Sequence, residues 1–499
     1  MDLPRLIQGG MGAGVSGWQL AQAVASLNQL GVVSGTALDT ILVRRLGLGD
    51  PHGDVRRALS AFPAQDVAAR VLKRYFRAAD TQLGSVPITS PAMQDDEHGE
   101  QHEHHASPKF GLIPLQRAKL TPEREWLIIL ANFVEVFLAK EGHSGVVGIN
   151  YLHKIQFPVL PSLYGAMLAG VDVVLVGAGI PGEIPAVMDD LAEHKGVSVA
   201  LDVLDAGDQK FSLQFEPATL WASEHLPIPA PLRRPQFLAI VSSATLARAL
   251  LKKAPGGING FVVEAPIAGG HNAPPRGPQH LSDRGEPVYG ERDEVDMAQM
   301  AGLGTPFWLA GGYATREKML AAIALGARGI QVGTAFAFCE QSGLDPILRE
   351  RFLAGVLHDE REVFTDPDAS PTSFPFKVAG LEHTLSDRDV YEHRTRACDL
   401  GYLRRAYRKA DGTVDYRCPA EPVDDYVRKG GKPEDTVGRK CLCNSLMANI
   451  GLGQVRADGY IEPALLTAGN DLACIKQYIT QDRRTYHAKD VIDSLVVPS

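Results

Sequence analysis

The sequence predicts a (β/α)8 barrel, and three observations carry the prediction. Eight short apolar runs recur through roughly the first 335 residues, each continuous rather than alternating, as strands buried on both faces are. The runs are interleaved with glycine-rich turns and amphipathic stretches, the rhythm of a repeated βα unit. The last two runs end in the turns Ala310-Gly311-Gly312 and Val332-Gly333, which a barrel sets side by side at its C-terminal face. A doubly wound open sheet is the alternative that the same pattern allows.

The first run, LIQGG at 6–10, leads into a helix-like stretch from Trp18 to Leu27. GVVSG (31–35) reads as the second strand, VVGINYL (146–152) as the third and VDVVLVGAG (171–179) as the fourth. FLAIVS (237–242), GFVVEAPIAGG (260–270), FWLAGG (307–312) and GIQVGTAF (329–336) complete the eight. Between the second and third runs, Thr121 suits an N-cap and Pro122 the first helical position, while Glu123 and Glu125 complement the dipole. That helix continues through Trp126, Leu130, Phe133, Val134 and Phe137 to near Gly142, and its apolar residues are expected to cover the barrel wall.

Three segments depart from the rhythm. Residues 84–110, with His98, His102, His104 and His105 among acidic neighbours, have the composition of a mobile, solvated loop. In 196–235, VSVALDVL and FSLQF flank Asp205-Ala206-Gly207-Asp208 and read as a β-hairpin insertion, followed by a proline-rich connector at Pro227, Pro229, Pro231 and Pro235. The expected organisation is thus a barrel over 1–345 and a mainly helical cap or interaction region over 346–499. Within the latter, the run from Thr365 to Lys377 reads as an extended loop, suited to a lid over the barrel mouth, a linker or a dimer contact.

Composition excludes several classes. Of 499 residues, 45% are hydrophobic and 22% charged, which rules out wholesale disorder. A formal net charge of −9 disfavours a nucleic-acid binder, which would neutralise phosphates with excess Lys and Arg. No apolar stretch reaches the ~18–20 residues needed to span a bilayer, and the N-terminus has no basic region followed by an apolar one. Six cysteines are too few for a disulfide scaffold, so a reducing cytoplasm is the expected compartment.

The densest chemical signal lies in the last two strands. Gly311, Gly312 and the stretch Gln331-Val332-Gly333-Thr334 let backbone N–H groups approach a phosphate closely. His271 follows two glycines after a buried run, so it projects over the barrel mouth, and an imidazole with a pKa near 6.5 can accept a proton from an acidic C–H. His143 and His153 flank the third strand and are weaker candidates. The tail holds Cys398, Cys418, Cys441 and Cys443, which could bind zinc or an iron–sulfur cluster. Their spacing is not the usual paired Cys-x-x-Cys, so packing of free thiols is the preferred reading and no metal is expected. Cys339 and Cys474 read as packing residues.

The segments Pro4-Arg5-Leu6-Ile7-Gln8-Gly9-Gly10-Met11-Gly12, Ala268-Gly269-Gly270-His271 and the phosphate turns together resemble the nitronate monooxygenase family, formerly called 2-nitropropane dioxygenase. That family shares its fold and motifs with FMN-dependent enoyl-thioester reductases. The resemblance extends over about residues 4–340 and implies an FMN-dependent TIM-barrel oxidoreductase. It implies flavin contacts at Gly10, Met11, Gly12, Asn150, Glu264, Gly269 and Gly270, and phosphate contacts at Gly311, Gly312, Gln331, Val332, Gly333 and Thr334. His271 matches the family's catalytic base toward nitroalkanes. Two positions depart from the family: Glu264 stands where many members have Gln, and Asn272-Ala273 where many continue Arg-Gly. FAD is disfavoured because no Gly-x-Gly-x-x-Gly turn joins a clear strand and helix.

The first expectation is oxidation of a nitronate or similarly acidic small molecule with O2. The second is an NAD(P)H-dependent enoyl-thioester reductase, with an acyl carrier protein as partner. The third is a flavin-binding interaction platform. A homodimer fits any of them.

Overall fold

A computed structural model describes residues 2–78 and 110–496 of the chain. All but the last residue of the expected acidic, histidine-rich loop at 84–110 lies outside the described residues. Eight parallel strands form the central sheet: β1 (Leu6–Gln8), β2 (Gly31–Ser34), β3 (Val147–Leu152), β4 (Val173–Gly177), β5 (Gln236–Val241), β6 (Gly260–Glu264), β7 (Phe307–Ala310) and β8 (Gly329–Val332). Seven fall within one of the apolar runs, and β5 begins one residue before its run, at Gln236. Neighbours pair in chain order from β2 to β8, and β8 pairs with β1 through Leu6–Ile330, Ile7–Gln331 and Gln8–Val332. The ring closes between β1 and β2 by one parallel bridge, Ile7 to Leu30, with Gln8 N donating to Leu30 O at 3.0 Å.

The strands read as unbroken apolar runs because both of their faces are buried. Ile7, Val32, Leu175, Leu238, Val262 and Trp308 fill the barrel interior. Alternate residues such as Leu6, Val33, Val174, Phe237, Phe261 and Ile330 pack outward under the helices. Gly329 shows how closely the backbones approach: a Cβ there would sit 1.8 Å from the carbonyl oxygen of Arg5. Any side chain would push β8 away from the chain that precedes β1.

The helix Pro122–Lys140 begins as its sequence dictates, with the Thr121 hydroxyl accepting from Arg124 N at 3.3 Å. It packs along the helix Val159–Leu168 and buries Trp126 edge-on against Phe62 and Trp221. Among the described residues no helix is long and apolar enough to cross a membrane.

The insertion carries the expected hairpin, Val197–Leu201 antiparallel to Phe211–Phe215. Its inner residues Val199, Leu213 and Phe215 are buried while the alternate ones are exposed. Val203 and Leu204 do not continue that hairpin. They pair in parallel with Ala406 and Tyr407, so the far end of the chain draws them away. After residue 345 come the helices Pro346–Leu357 and Ala488–Leu495, several shorter ones, and two strand pairs, Val363–Asp366 with Phe376–Ala379 and Arg405–Arg408 with Val414–Arg417. The strand pairs were not legible as such in the sequence. The extension is no loose tail: Leu442, Met447, Leu465, Leu466 and Tyr486 belong to the same apolar core as the barrel helices.

Candidate functional site

A cavity of about 220 Å³ opens at the C-terminal ends of the strands. Every residue that the sequence put forward for the flavin lines it: Gly10, Met11, Gly12, Asn150, Glu264, Gly269, Gly270, Gly311, Gly312, Gln331, Val332, Gly333 and Thr334, together with His271. They converge because each stands at or just beyond the C-terminal end of its strand.

The turn after β1 is held from beneath. The Ser16 hydroxyl donates to Gly9 O at 3.0 Å and accepts from Met11 N at 2.9 Å. Asn150, on β3, donates its amide to Gly10 O at 3.2 Å, and a Cβ on Gly10 would lie 2.5 Å from the Asn150 Cβ. The Asn150 Oδ1 is left buried without a partner, as is the Gln331 Oε1 on β8. Two buried amide oxygens in one wall call for a ligand bearing N–H donors. After the neighbouring strand β7, whose Ala310 pairs with Gln331, Gly311 and Gly312 adopt φ of 90° and 76°, a left-handed conformation that favours glycine. A Cβ on Gly312 would lie 2.5 Å from the Ile267 Cδ1. Amide acceptors on β3 and β8, beside the glycine turns that follow β7 and β8, are residues that would suit a flavin.

His271 lines the same cavity. Its Nε2 lies 2.7 Å from the Ser370 hydroxyl, and its ring meets Phe376 edge-on with centroids 4.8 Å apart. Ser370 is itself fixed by Thr372, whose hydroxyl is 2.8 Å away. Burial holds the imidazole well below its ordinary pKa, and the neighbouring Lys154 pushes the same way. His271 is therefore neutral near pH 7, and the same burial makes it a weaker base than a free imidazole.

Two further ionisable groups bear on this site: Glu264, which lines the cavity, and Lys154, which lies within electrostatic reach of Glu264 and His271. Burial pushes Glu264 up to about 7, opposed by Lys154. The Lys154 Nζ is buried without a hydrogen-bond partner and sits 4.3 Å from the centre of the Phe374 ring. Burial holds it well below the usual lysine range, and Glu264 partly restores it. Sequence reasoning missed Lys154, because a lysine just past a strand reads as a solvated residue. His143 and His153 take no part in the wall. His143 bonds Ala139 O at 2.8 Å near the start of β3, and the His153 ring packs against the Gly179 backbone.

The extension supplies the rest of the wall. The Thr467 hydroxyl accepts from Gly270 N at 2.9 Å, and Gly469 N donates to the Thr334 hydroxyl at 2.9 Å. The loop that was expected after the barrel folds back over the mouth, where Lys377 N donates to Gly270 O and Asn272 N to Pro375 O, both at 2.9 Å. Cys474, expected only to pack, also reaches the cavity wall, whereas Cys339 is buried.

Residues 233–365, which include β5 to β8, His271 and both glycine turns, match the family model described as nitronate monooxygenase. A probable nitronate monooxygenase from Bacillus subtilis (strain 168) is 33% identical over 114 residues, 23% of this chain and 31% of that protein. The match thus spans about a third of the curated relative's length. Among solved structures, FabK from Thermotoga maritima is 15% identical, with 99% of this chain and 91% of that chain covered and a TM-score of 0.47. Nitroalkane oxidase from Streptomyces ansochromogenes is 14% identical, with 98% and 94% covered and a TM-score of 0.43. The family match bears out the resemblance read from the sequence, over the half of the barrel that carries His271 and the phosphate turns.

Proposed function

We propose that the cavity holds FMN and that the chain is an FMN-dependent oxidoreductase, oxidising a nitronate, a nitroalkane or a similarly acidic carbon compound with O2. The observation that carries this reading is His271, a neutral imidazole held by Ser370 in the same cavity as both glycine turns. When bound, the flavin supplies the electron acceptor that no side chain offers. The protein's own residues do the rest. The Asn150 and Gln331 amides would line the ring site, where one of their oxygens would accept from the single N–H of the oxidised ring, and Gly311, Gly312 and Gly333 would bring backbone N–H groups to the phosphate. His271 takes the proton from the carbon beside the nitro group. Lys154, within electrostatic reach of His271 and Glu264, would offset the charge of the resulting anion when it carries a proton, a form that its burial disfavours. Phe376, with the segment 467–469, keeps bulk water from the reacting carbon.

Glu264 favours a second reading, reduction of an enoyl thioester with NAD(P)H. Reducing a C=C bond needs a proton as well as a hydride, and a buried carboxyl near pH 7 can deliver one. Anaerobic stopped-flow mixing separates the two. Bleaching of the flavin by a nitronate supports oxidation. Rapid bleaching by NADPH, with no response to nitronate, would replace it with the reductase. A protein that stays colourless after incubation with FMN would remove both.

A further inference from the structure

Glu264 stands in the walls of two cavities. One is the site described above. The other is a chamber of about 30 Å³ beyond the C-terminal ends of β5 and β6. Among the described residues, Glu264 is common to both walls. Ser242, just past β5, and Asn272 and Ala273, just past His271, line the second chamber. Its rim reaches the surface at Pro274 and Arg276, which are exposed. Both positions at which the sequence parts from the nitronate monooxygenase pattern, Glu264 and Asn272-Ala273, therefore meet here.

The polar groups of the rim satisfy one another. The Tyr289 hydroxyl donates to Ala273 O at 3.0 Å, and Arg276 N donates to Asp293 Oδ1 at 2.8 Å. The Arg276 guanidinium donates to Ser242 O and Arg292 O. Two groups further in are left over. The Asn272 amide donates to Ala268 O at 3.0 Å, and its Oδ1 is buried without a partner. No hydrogen bond holds the Glu264 carboxyl: among the described residues, burial and Lys154 are what act on it. A water molecule needs about 10–15 Å³ and at least two polar partners, and this chamber offers the volume, an amide oxygen and a carboxyl.

We propose that Glu264 is the proton carrier of the site, exchanging one proton between the main cavity and solvent through water in the second chamber. The inference rests on the function proposed above, in either of its forms. Oxidation leaves a proton on His271, where burial disfavours the charged imidazole, so that proton has to leave. Reduction of a C=C bond consumes a proton, which has to arrive. Each passage forms one O–H bond on the carboxyl and breaks one, outward in the oxidation and inward in the reduction, with no change of oxidation state. Burial pushes the carboxyl up to about 7, where it both takes and releases a proton near neutrality. Lys154 acts on it directly and His271 lines the main cavity with it, while Arg276, Asp293 and the Tyr289 phenol line the second chamber.

The test reads the carboxyl of the full chain by infrared spectroscopy, with and without flavin. The carbonyl stretch of protonated Glu264 should appear as pH falls through about 7 and be missing in Glu264→Gln. On mixing with D2O the band should move to its deuterated position within the mixing time. Ser242→Leu adds bulk to the second chamber and none to the main cavity, and should slow that exchange at least about tenfold. In turnover, Glu264→Ala should lose at least about tenfold in kcat, and formate should restore the rate in proportion to its concentration. A carboxyl with a merely structural role would give no such rescue. The proposal is overturned by the absence of a titrating band, by exchange that Ser242→Leu leaves unchanged, or by Glu264→Ala that formate does not rescue. Should Ser242→Leu fail to fold, the wild-type band and the formate rescue decide. The exchange is read without flavin, so failure of the proton path and failure of the flavin reading are separate results.

Discussion

The imidazole Nε2 of His271 lies 2.7 Å from the hydroxyl of Ser370, a residue 99 positions further along the chain. The barrel strand delivers the ring, and the extension sets its orientation. The hydroxyl engages one ring nitrogen and so helps set how the imidazole sits in the cavity wall.

His271→Asn should retain FMN, since the glycine turns hold the phosphate independently. Turnover of a neutral nitroalkane should fall roughly 10²- to 10⁴-fold, the usual worth of a general base. Turnover of the preformed nitronate should fall much less. Equal losses on both substrates would make His271 an orienting group. Ser370→Ala should give a smaller loss of the same pattern, in kcat rather than KM.

Glu264 should set the pH profile near neutrality. Burial already holds His271 well below 6.5, so a limb in kcat/KM near pH 7 belongs to Glu264, pushed up to about 7. That limb should vanish in Glu264→Gln. The same shift has a stability sign. The folded state holds this proton more tightly than the unfolded chain, so its contribution is full below about pH 4.5 and lost as pH rises through about 7. The Tm of Glu264→Gln relative to wild type should therefore climb across that upper range. A difference independent of pH would show that Glu264 is not ionising there.

Lys154→Met should separate stability from function. Removing an enclosed amine without a hydrogen-bond partner should raise Tm, while KM for an anionic substrate should rise about tenfold, or about 1.4 kcal/mol. Unchanged KM would exclude Lys154 from substrate binding.

Gly312→Ala should lose FMN. The residue sits at φ 76°, where a side chain costs about 1–2 kcal/mol, and its Cβ would meet Ile267. Fluorescence titration should show at least tenfold weaker flavin binding, with the far-ultraviolet circular dichroism unchanged. Wild-type affinity would remove the turn from the phosphate site.

All eight barrel strands could be read from the sequence because two-sided burial leaves a local record, a run of Val, Ile, Leu and Phe closed by glycine. The glycine turns and His271 were legible for the same reason, since turn and side chain are adjacent in sequence. Ser370, Phe376 and Thr467 were not. They reach the site through pairings such as Gly270 with Thr467, 197 residues apart, and nothing local marks a threonine that will meet a glycine so far away. Lys154 was missed for a different reason. Its burial depends on Phe374 from the extension, so its own neighbourhood in the sequence looks solvated. The parting of Val203 and Leu204 from their hairpin likewise depends on Ala406 and Tyr407.

The bond between Gly469 N and the Thr334 hydroxyl also bears on when the protein can acquire its cofactor. A ribosome releases the glycine turns of β7 and β8 well before it releases residue 469. Until then the chamber lacks a wall, and a flavin arriving early meets an open trough. On the reading proposed above, a cofactor held by the glycine turns alone would be only partly enclosed before that point, so closure of the chamber belongs to the end of synthesis.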